Sequence, residues 1–374
     1  MSDLPTPDQQ SHPHPHPFPH PRRRAVLSGA FVLGAGAVLG SGLSGNAWAA
    51  AAAGPVISGC AAWRARPPSA PVKLLPTAPH KIIVHHTATA NSTDYTQEHA
   101  FALSRSIQAY HMDDNGWIDS GQHFTISRGG WITEGRHSSV AALGAGTQQV
   151  ESAHCTGQNT VAVGIENEGT YTTVDPRSAQ YAKLVDLCAY ICRQYGLRPY
   201  QIFGHRDFNN TNCPGDRLYA MLPQLRADVA ARTGGDPGWT AWSTARVGDS
   251  GERVRSLQYL LNSRGSSLTV DGSFGPATES AVRAFQTTNR ASVDGVAGNQ
   301  TWHQLVNPVR RGAQGDPVKA LQSQLNAHGQ ALVVDGSFGS GTEAGVRAFQ
   351  TSATLPVDGV ADARTWNRLL VQTG

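Results

Sequence analysis

A histidine and a cysteine stand eight residues apart in FGHRDFNNTNCPG, residues 203–215, with no helical or strand periodicity between them. Cys213 has three readings there: half of a disulfide, a buried thiol, or a metal ligand. The loop between the two is rich in Asn, with Gly and Pro at its ends, and such a loop can turn His205 and Cys213 toward one ion. A catalytic zinc takes three protein ligands and leaves its fourth position to water. A further donor is available in IIVHHTAT, where His85 and His86 close an apolar run. Adjacent residues on a strand face opposite sides, so at most one of the pair is a ligand.

The elements around these residues interleave. KIIVHH reads as a buried strand, TQEHAFALSRSIQAYHMD as a helix anchored by Phe101, Leu103, Ile107 and Tyr110, and GQHFTISRGGWITEG as a hairpin. TVAVGIENEG reads as another strand. A helix carrying two cysteines, a short strand at YQIFGH and a final helix near GDRLYAMLPQLRADVAAR follow. The alternation predicts one α/β domain over residues 80–232, a mixed central sheet flanked by helices.

The first residues are of another kind. SHPHPHPFPHPRRR is low-complexity and cannot pack a core. A basic start, a weakly apolar run and Ala47 and Ala49 at small-residue spacing then read as an export signal over residues 1–49. Its paired arginines point to the twin-arginine route. The run is mild for an anchor, so no membrane association is expected once the signal is removed. A net charge of +3 with 15% charged residues gives no case for nucleic acid.

Export changes how the five cysteines read. Cys188 and Cys192 lie in DPRSAQYAKLVDLCAYICRQYG, where Asp175 is placed to cap, Pro176 suits the first helical position and Gly196 ends the helix. The apolar stripe turns both cysteines inward. Cysteines one turn apart rarely bond each other. The expectation is two disulfides, from Cys188 and Cys192 to Cys60 and Cys155 in an order left open, with Cys213 outside them.

After an extension over 50–79, the domain over 80–232 and a linker at 233–240, the chain repeats itself. VDGSFGPATESAVRAFQ returns as VDGSFGSGTEAGVRAFQ, with Asp271 and Asp335 separated by 335 − 271 = 64 residues. Phe285 and Phe349, Asp294 and Asp358, and Trp302 and Trp366 keep the same offset. Two small three-helix modules are expected, over 241–306 and 307–374, as independent beads.

IVHHTAT, GQHFTISRGG, VGIENEGTY and GHRDFNNTNCPG, in that order, resemble the peptidoglycan-recognition-protein and phage-lysozyme superfamily of zinc N-acetylmuramoyl-L-alanine amidases. The repeats resemble three-helix peptidoglycan-binding domains. The resemblance implies Zn2+ held by His85, His205 and Cys213, with Glu166 as the proton-transferring residue and Thr211 aimed at the substrate oxyanion. Where many members carry GYHF or GYNF, this chain has GQHF, and Gln122 cannot act as acid or base. His154, in SAHCTGQN, either lines the cleft or sits on a loop tied down by Cys155. His86 is expected as a supporting or core histidine, Arg206 and Asp207 as a local ion pair orienting the loop, and His99, His111, His123 and His137 as structural. The implied protein is secreted, monomeric and wall-associated, with peptidoglycan as both substrate and anchor. The alternative is a recognition protein of the same fold without turnover.

Overall fold

Six strands form the main sheet, in the order β1 (Ile57–Ser58), β5 (Ile132–Glu134), β4 (Phe124–Ile126), β7 (Ala162–Asn167), β3 (Lys81–His86) and β8 (Ile202–Gly204). Neighbours run parallel except β4 and β5, which make the expected antiparallel hairpin, so the sheet is mixed. A separate antiparallel pair joins β2 (Leu74–Leu75) to β6 (Gln149–Val150). The computed structural model describes residues 54–371 apart from 236 and 240, so the export signal expected over 1–49 lies outside the described residues.

β3 shows how sequence sets the faces of this sheet. Ile82, Ile83 and Val84 are fully buried, as befits a central strand covered on both sides. Ile82 and Val84 pack with Val163 and Ile165 of β7 against α3 (Ser178–Tyr195) and α5 (Leu222–Thr233). Ile83 points the other way, into a smaller cluster with Cys155, Ala162, Phe203 and Phe208. The period of two then puts His85 on the Ile83 face, away from α3. Around the sheet lie α1 (Gln97–Ala109), α2 (Ser139–Ala145) and α4 (Asp216–Ala220).

Two expectations about α3 need correction. Its N-cap is Arg177, not Asp175, no side chain caps it, and Ser178 rather than Pro176 takes the first helical position. Asp175 instead accepts two bonds from the Arg217 guanidinium, at 2.7 and 3.0 Å. The second correction concerns the disulfides: all five cysteines are free thiols. Cys188 and Cys192 do face inward, but into the apolar cluster between α3 and α5. Cys60 lies elsewhere, its Sγ 3.5 Å from the Gly135 carbonyl, and Cys155 donates to Asn209 Oδ1 at 3.2 Å. An inward-facing stripe identifies a buried cysteine and does not supply it with a partner.

The C-terminal repeats form α6 (Glu252–Asn262), α7 (Pro276–Thr288) and α8 (Asn299–Leu305), then α9 (Asp316–Ala327), α10 (Ser340–Ser352) and α11 (Ala363–Val371). A buried glutamine fixes each Asp-Gly turn. Gln258 Nε2 donates to Asp271 Oδ1, Ser273 O and Thr278 Oγ1, while its Oε1 accepts from Gly272 N. Gln286 does the same for Asp294, Val296, Thr301 and Gly295. Gln322 and Gln350 repeat both sets in the second module. The glycines at these turns have φ between 74° and 77°, which side chains rarely adopt.

The modules are not independent beads. One apolar cluster runs from Trp242 to Leu370 through both. α6 packs on α9, where buried Gln324 donates to buried Ser256 Oγ at 2.9 Å. α8 lies against the 3-10 turn His205–Asp207.

Candidate metal centre

β3 runs between β7 and β8 and parallel to both, so three carboxyl ends meet at one edge of the sheet. Open α/β sheets bind their ligands at such an edge. His85 lies near the end of β3, and His205 follows β8 directly. The loop returns as its composition suggested: Arg206 N donates to Cys213 O at 3.1 Å. One donor atom from each of His85, His205 and Cys213 lies within 4.8 Å of the others. Cys213 Sγ is 3.6 Å from His85 Nδ1, and the two imidazole centroids are 4.5 Å apart.

Neighbouring groups fix which ring nitrogens face this point. His154 Nε2 lies 3.4 Å from the Ala162 carbonyl, which can only accept, so His154 carries its proton on Nε2. His154 Nδ1 then accepts from His85 Nε2 at 2.9 Å, and His85 Nδ1 keeps its lone pair toward Cys213. His154 fits here because residue 164 is glycine; a Cβ there would lie 2.4 Å from the imidazole. His205 is held similarly. The Asn209 amide nitrogen faces two carbonyls, Thr156 O at 3.3 Å and Asn289 O at 2.7 Å. Its Oδ1 therefore faces His205 Nε2, at 2.9 Å, and accepts from it. Such partners orient a ligand histidine and set its tautomer.

Burial, reinforced by the neighbouring imidazoles of His205 and His154, holds His85 well below the ordinary histidine range, so it is neutral. Burial and then the Glu166 carboxyl push the Cys213 thiol well up, although the His86 N–H, 3.4 Å from Sγ, pulls the other way. A thiol so placed becomes a thiolate when a cation lies beside it. Burial raises the Glu166 carboxyl to about 8. Its Oε2 is buried without a hydrogen-bond partner. Two imidazoles, a thiol and an unpartnered carboxyl oxygen suit a borderline-soft divalent ion such as zinc.

Glu166 is the ladder partner of His85, and its neighbours Val163 and Ile165 point into the α3 cluster, so Glu166 shares the His85 face. Thr211 stands beside Cys213: its Oγ1 accepts from Cys213 N at 3.2 Å, which leaves the hydroxyl hydrogen to donate elsewhere. Gln122 is buried, with Nε2 bound to Thr125 Oγ1 at 2.8 Å. His86 turns away from His85, as strand geometry requires, and offers Cys213 its main chain. Arg206 and Asp207 do not pair with each other: Arg206 bonds Asp216 Oδ1 at 2.7 Å, while Asp207 accepts from Gly204 N and Tyr219 OH. His99, His111, His123 and His137 each have a protein partner, namely Glu168, Gly121 N, Val150 O and Asp119. Asn209 was missed by sequence reasoning; its only signal was a position four residues after a histidine in a tight loop. Neither reading of His154 from the sequence, lining the cleft or sitting on a tied-down loop, included its bond to His85.

A family model described as N-acetylmuramoyl-L-alanine amidase matches residues 75–216, and one described as putative peptidoglycan binding domain matches 250–305 and 314–369. A human N-acetylmuramoyl-L-alanine amidase is 34% identical over 181 residues, 46% of this chain, which spans only 28% of that protein's length. Peptidoglycan-recognition protein SC2 of Drosophila simulans is 31% identical over 140 residues, 37% of this chain and 68% of its own. A solved complex of the recognition proteins LCa and LCx with tracheal cytotoxin is 27% identical, covers 46% of this chain and 96% of that one, and superposes with a TM-score of 0.40.

Proposed function

The chain belongs to the N-acetylmuramoyl-L-alanine amidase family, with two peptidoglycan-binding modules behind its amidase domain, and from that premise we propose that it is a secreted, zinc-dependent amidase. The bond cut is the amide between the lactyl group of muramic acid and L-alanine. The observation that carries the reading is the convergence of His85, His205 and Cys213 at the carboxyl edge of the sheet.

His85, His205 and Cys213 would hold the ion. Bound zinc lowers the pKa of water and polarises a carbonyl. Glu166 is the residue for proton transfer. Amide hydrolysis needs a base for the water's proton and an acid for the leaving amine, and one carboxyl with a pKa near neutrality serves both. Burial lifts Glu166 into that range, and a neighbouring cation draws it back toward the ionised form. The Thr211 hydroxyl, held by Cys213 N, donates to the oxygen that gains charge. Gln122 replaces the tyrosine of many relatives and contributes no proton, so acid–base work rests on Glu166.

The two modules hold the enzyme against its polymeric substrate and raise its local concentration. The wall-facing location and twin-arginine export rest on the N-terminal pattern, and a single copy supplies every residue named. Among the described residues no helix is long and apolar enough to cross a membrane.

The test is mass analysis of muropeptides after digestion of purified peptidoglycan, with and without a chelator. New lactyl carboxyl ends that appear only with metal present are the expected result. Binding to peptidoglycan without such ends would make the protein a recognition protein of the same fold. The Cys213→Ala variant is expected to lose both zinc and turnover.

A further inference from the structure

The two repeats supply an internal comparison. At the 64-residue offset they share their core: Thr301 and Thr365, Trp302 and Trp366, Leu305 and Leu369. They differ on one side of the last helix. The first module carries Gln300 and Gln304 where the second has Arg364 and Arg368, and Asn289 where the second has Ala353. These are the positions that meet the loop between His205 and Cys213.

The contact is made through main-chain atoms of that loop. Gln300 Nε2 donates to Arg206 O at 2.9 Å and to Asn209 O at 3.0 Å. Gln304, 3% exposed, donates to Phe208 O at 2.5 Å and to Asn289 O at 3.2 Å. Asn210 N donates to Arg290 O at 2.9 Å. The Asn289 carbonyl holds the Asn209 amide nitrogen at 2.7 Å, and the other end of that amide accepts from His205 Nε2. The path from the module to a candidate ligand is thus two hydrogen bonds long. An amide NH2 group can serve two carbonyls at once without bringing in charge, and the second module's arginines would bring charge here.

We propose that the first peptidoglycan-binding module is a structural part of the metal centre, with Gln300 and Gln304 as positioning residues that fix the His205 loop and, through Asn209, the His205 ring. This rests on His85, His205 and Cys213 being the ligands. It gives the module a role besides holding the wall, and it accounts for the difference between the two repeats at positions 289, 300 and 304. Without the module, the carbonyls of Arg206, Phe208 and Asn209 lose these donors, and Asn209 loses one of the two acceptors that set its orientation.

The test compares Co2+ and Zn2+ affinity, by chelator competition, and the visible spectrum of the Co2+ form, in the full chain and three variants. These are Gln300→Ala/Gln304→Ala, Cys213→Ala and Tyr200→Phe. Tyr200→Phe breaks a bond to Asp362 in the second module and leaves the His205 loop untouched. Circular dichroism at the assay temperature selects preparations that are folded; if the double variant is not, Gln300→Ala alone replaces it. The expected result is an affinity at least about 10-fold lower in the glutamine variant with an altered Co2+ spectrum, the size seen when a ligand's supporting partner is removed. Tyr200→Phe stays within about two-fold of the parent on the same scale. Unchanged affinity in the glutamine variant, with metal lost in Cys213→Ala, overturns this inference and leaves the ligand assignment standing. Equal weakening in the glutamine and Tyr200 variants also overturns it, since general loosening would then explain both. Full metal binding by Cys213→Ala removes the ligand assignment and the inference with it.

Discussion

At the scale of single residues, the candidate centre depends on groups that are not among its ligands. His154 holds His85 in one tautomer, and Gly164 leaves the room it needs. His154→Ala is expected to weaken zinc binding about 10- to 100-fold while the fold persists, measured by chelator competition. Gly164→Ala, which puts a methyl into the imidazole, is expected to do the same without altering any polar group. Lys81 offers a pH test. It is buried with Nζ on Gln158 Oε1 and the His303 carbonyl, and burial lowers its pKa to about 7. Between that value and the ordinary lysine range the unfolded chain binds a proton that the folded chain does not, so this group adds stability as pH rises. Denaturant midpoints for the parent and Lys81→Met should therefore shift in the parent's favour between pH 6.5 and pH 9, about a kcal/mol or more in direction with the linkage. His85, His205 and Cys213 could be named as candidate donors from sequence because ligand chemistry resides in the residue itself, and the structure brings the three together. Their orienting partners could not, because Asn209 and His154 act only through where the fold puts them.

At the scale of elements, strand patterning carried far. A continuous apolar IIV run after Lys81 pointed to a central strand, and the period of two assigned opposite faces to His85 and His86. The modules test the same logic in duplicate. Trp302 and Trp366 are equally buried, yet Trp302 Nε1 donates to Ser243 O at 2.9 Å and Trp366 Nε1 is buried without a partner. Trp302→Phe is thus expected to cost about 1–2 kcal/mol more than Trp366→Phe in chemical denaturation, since only the former strands an acceptor. Gln286→Ala and Gln350→Ala each free an Asp-Gly turn and leave buried donors and acceptors unmet, which predicts losses of about 1–3 kcal/mol. The Gln, Asp-Gly and Thr set stood in the sequence four times, in two spacings that each occur twice. Its meaning was not legible there, because a glutamine on a helix face reads as solvated until a turn is seen to close over it.

At the scale of the whole molecule, the repeats form one body and that body leans on the amidase domain. The shared cluster and the Ser256–Gln324 bond predict a single cooperative transition for residues 241–374, so that a core change such as Leu325→Ala in the second module lowers the melting point of both. Independent beads would melt separately in calorimetry. Contact with the His205 loop also changes the meaning of a truncation: removing both modules takes away more than wall affinity.

The sequence by itself determined the chemistry on offer and the kind of fold that carries it, since residue type, hydrophobic period and a 64-residue repeat are local properties of the chain. The tertiary structure decided the rest. It kept the cysteines as free thiols, chose the nitrogen each histidine presents, and set the first module against the loop that bears His205. Each of these depends on which groups come within a few ångströms across long stretches of chain, and only packing fixes such distances.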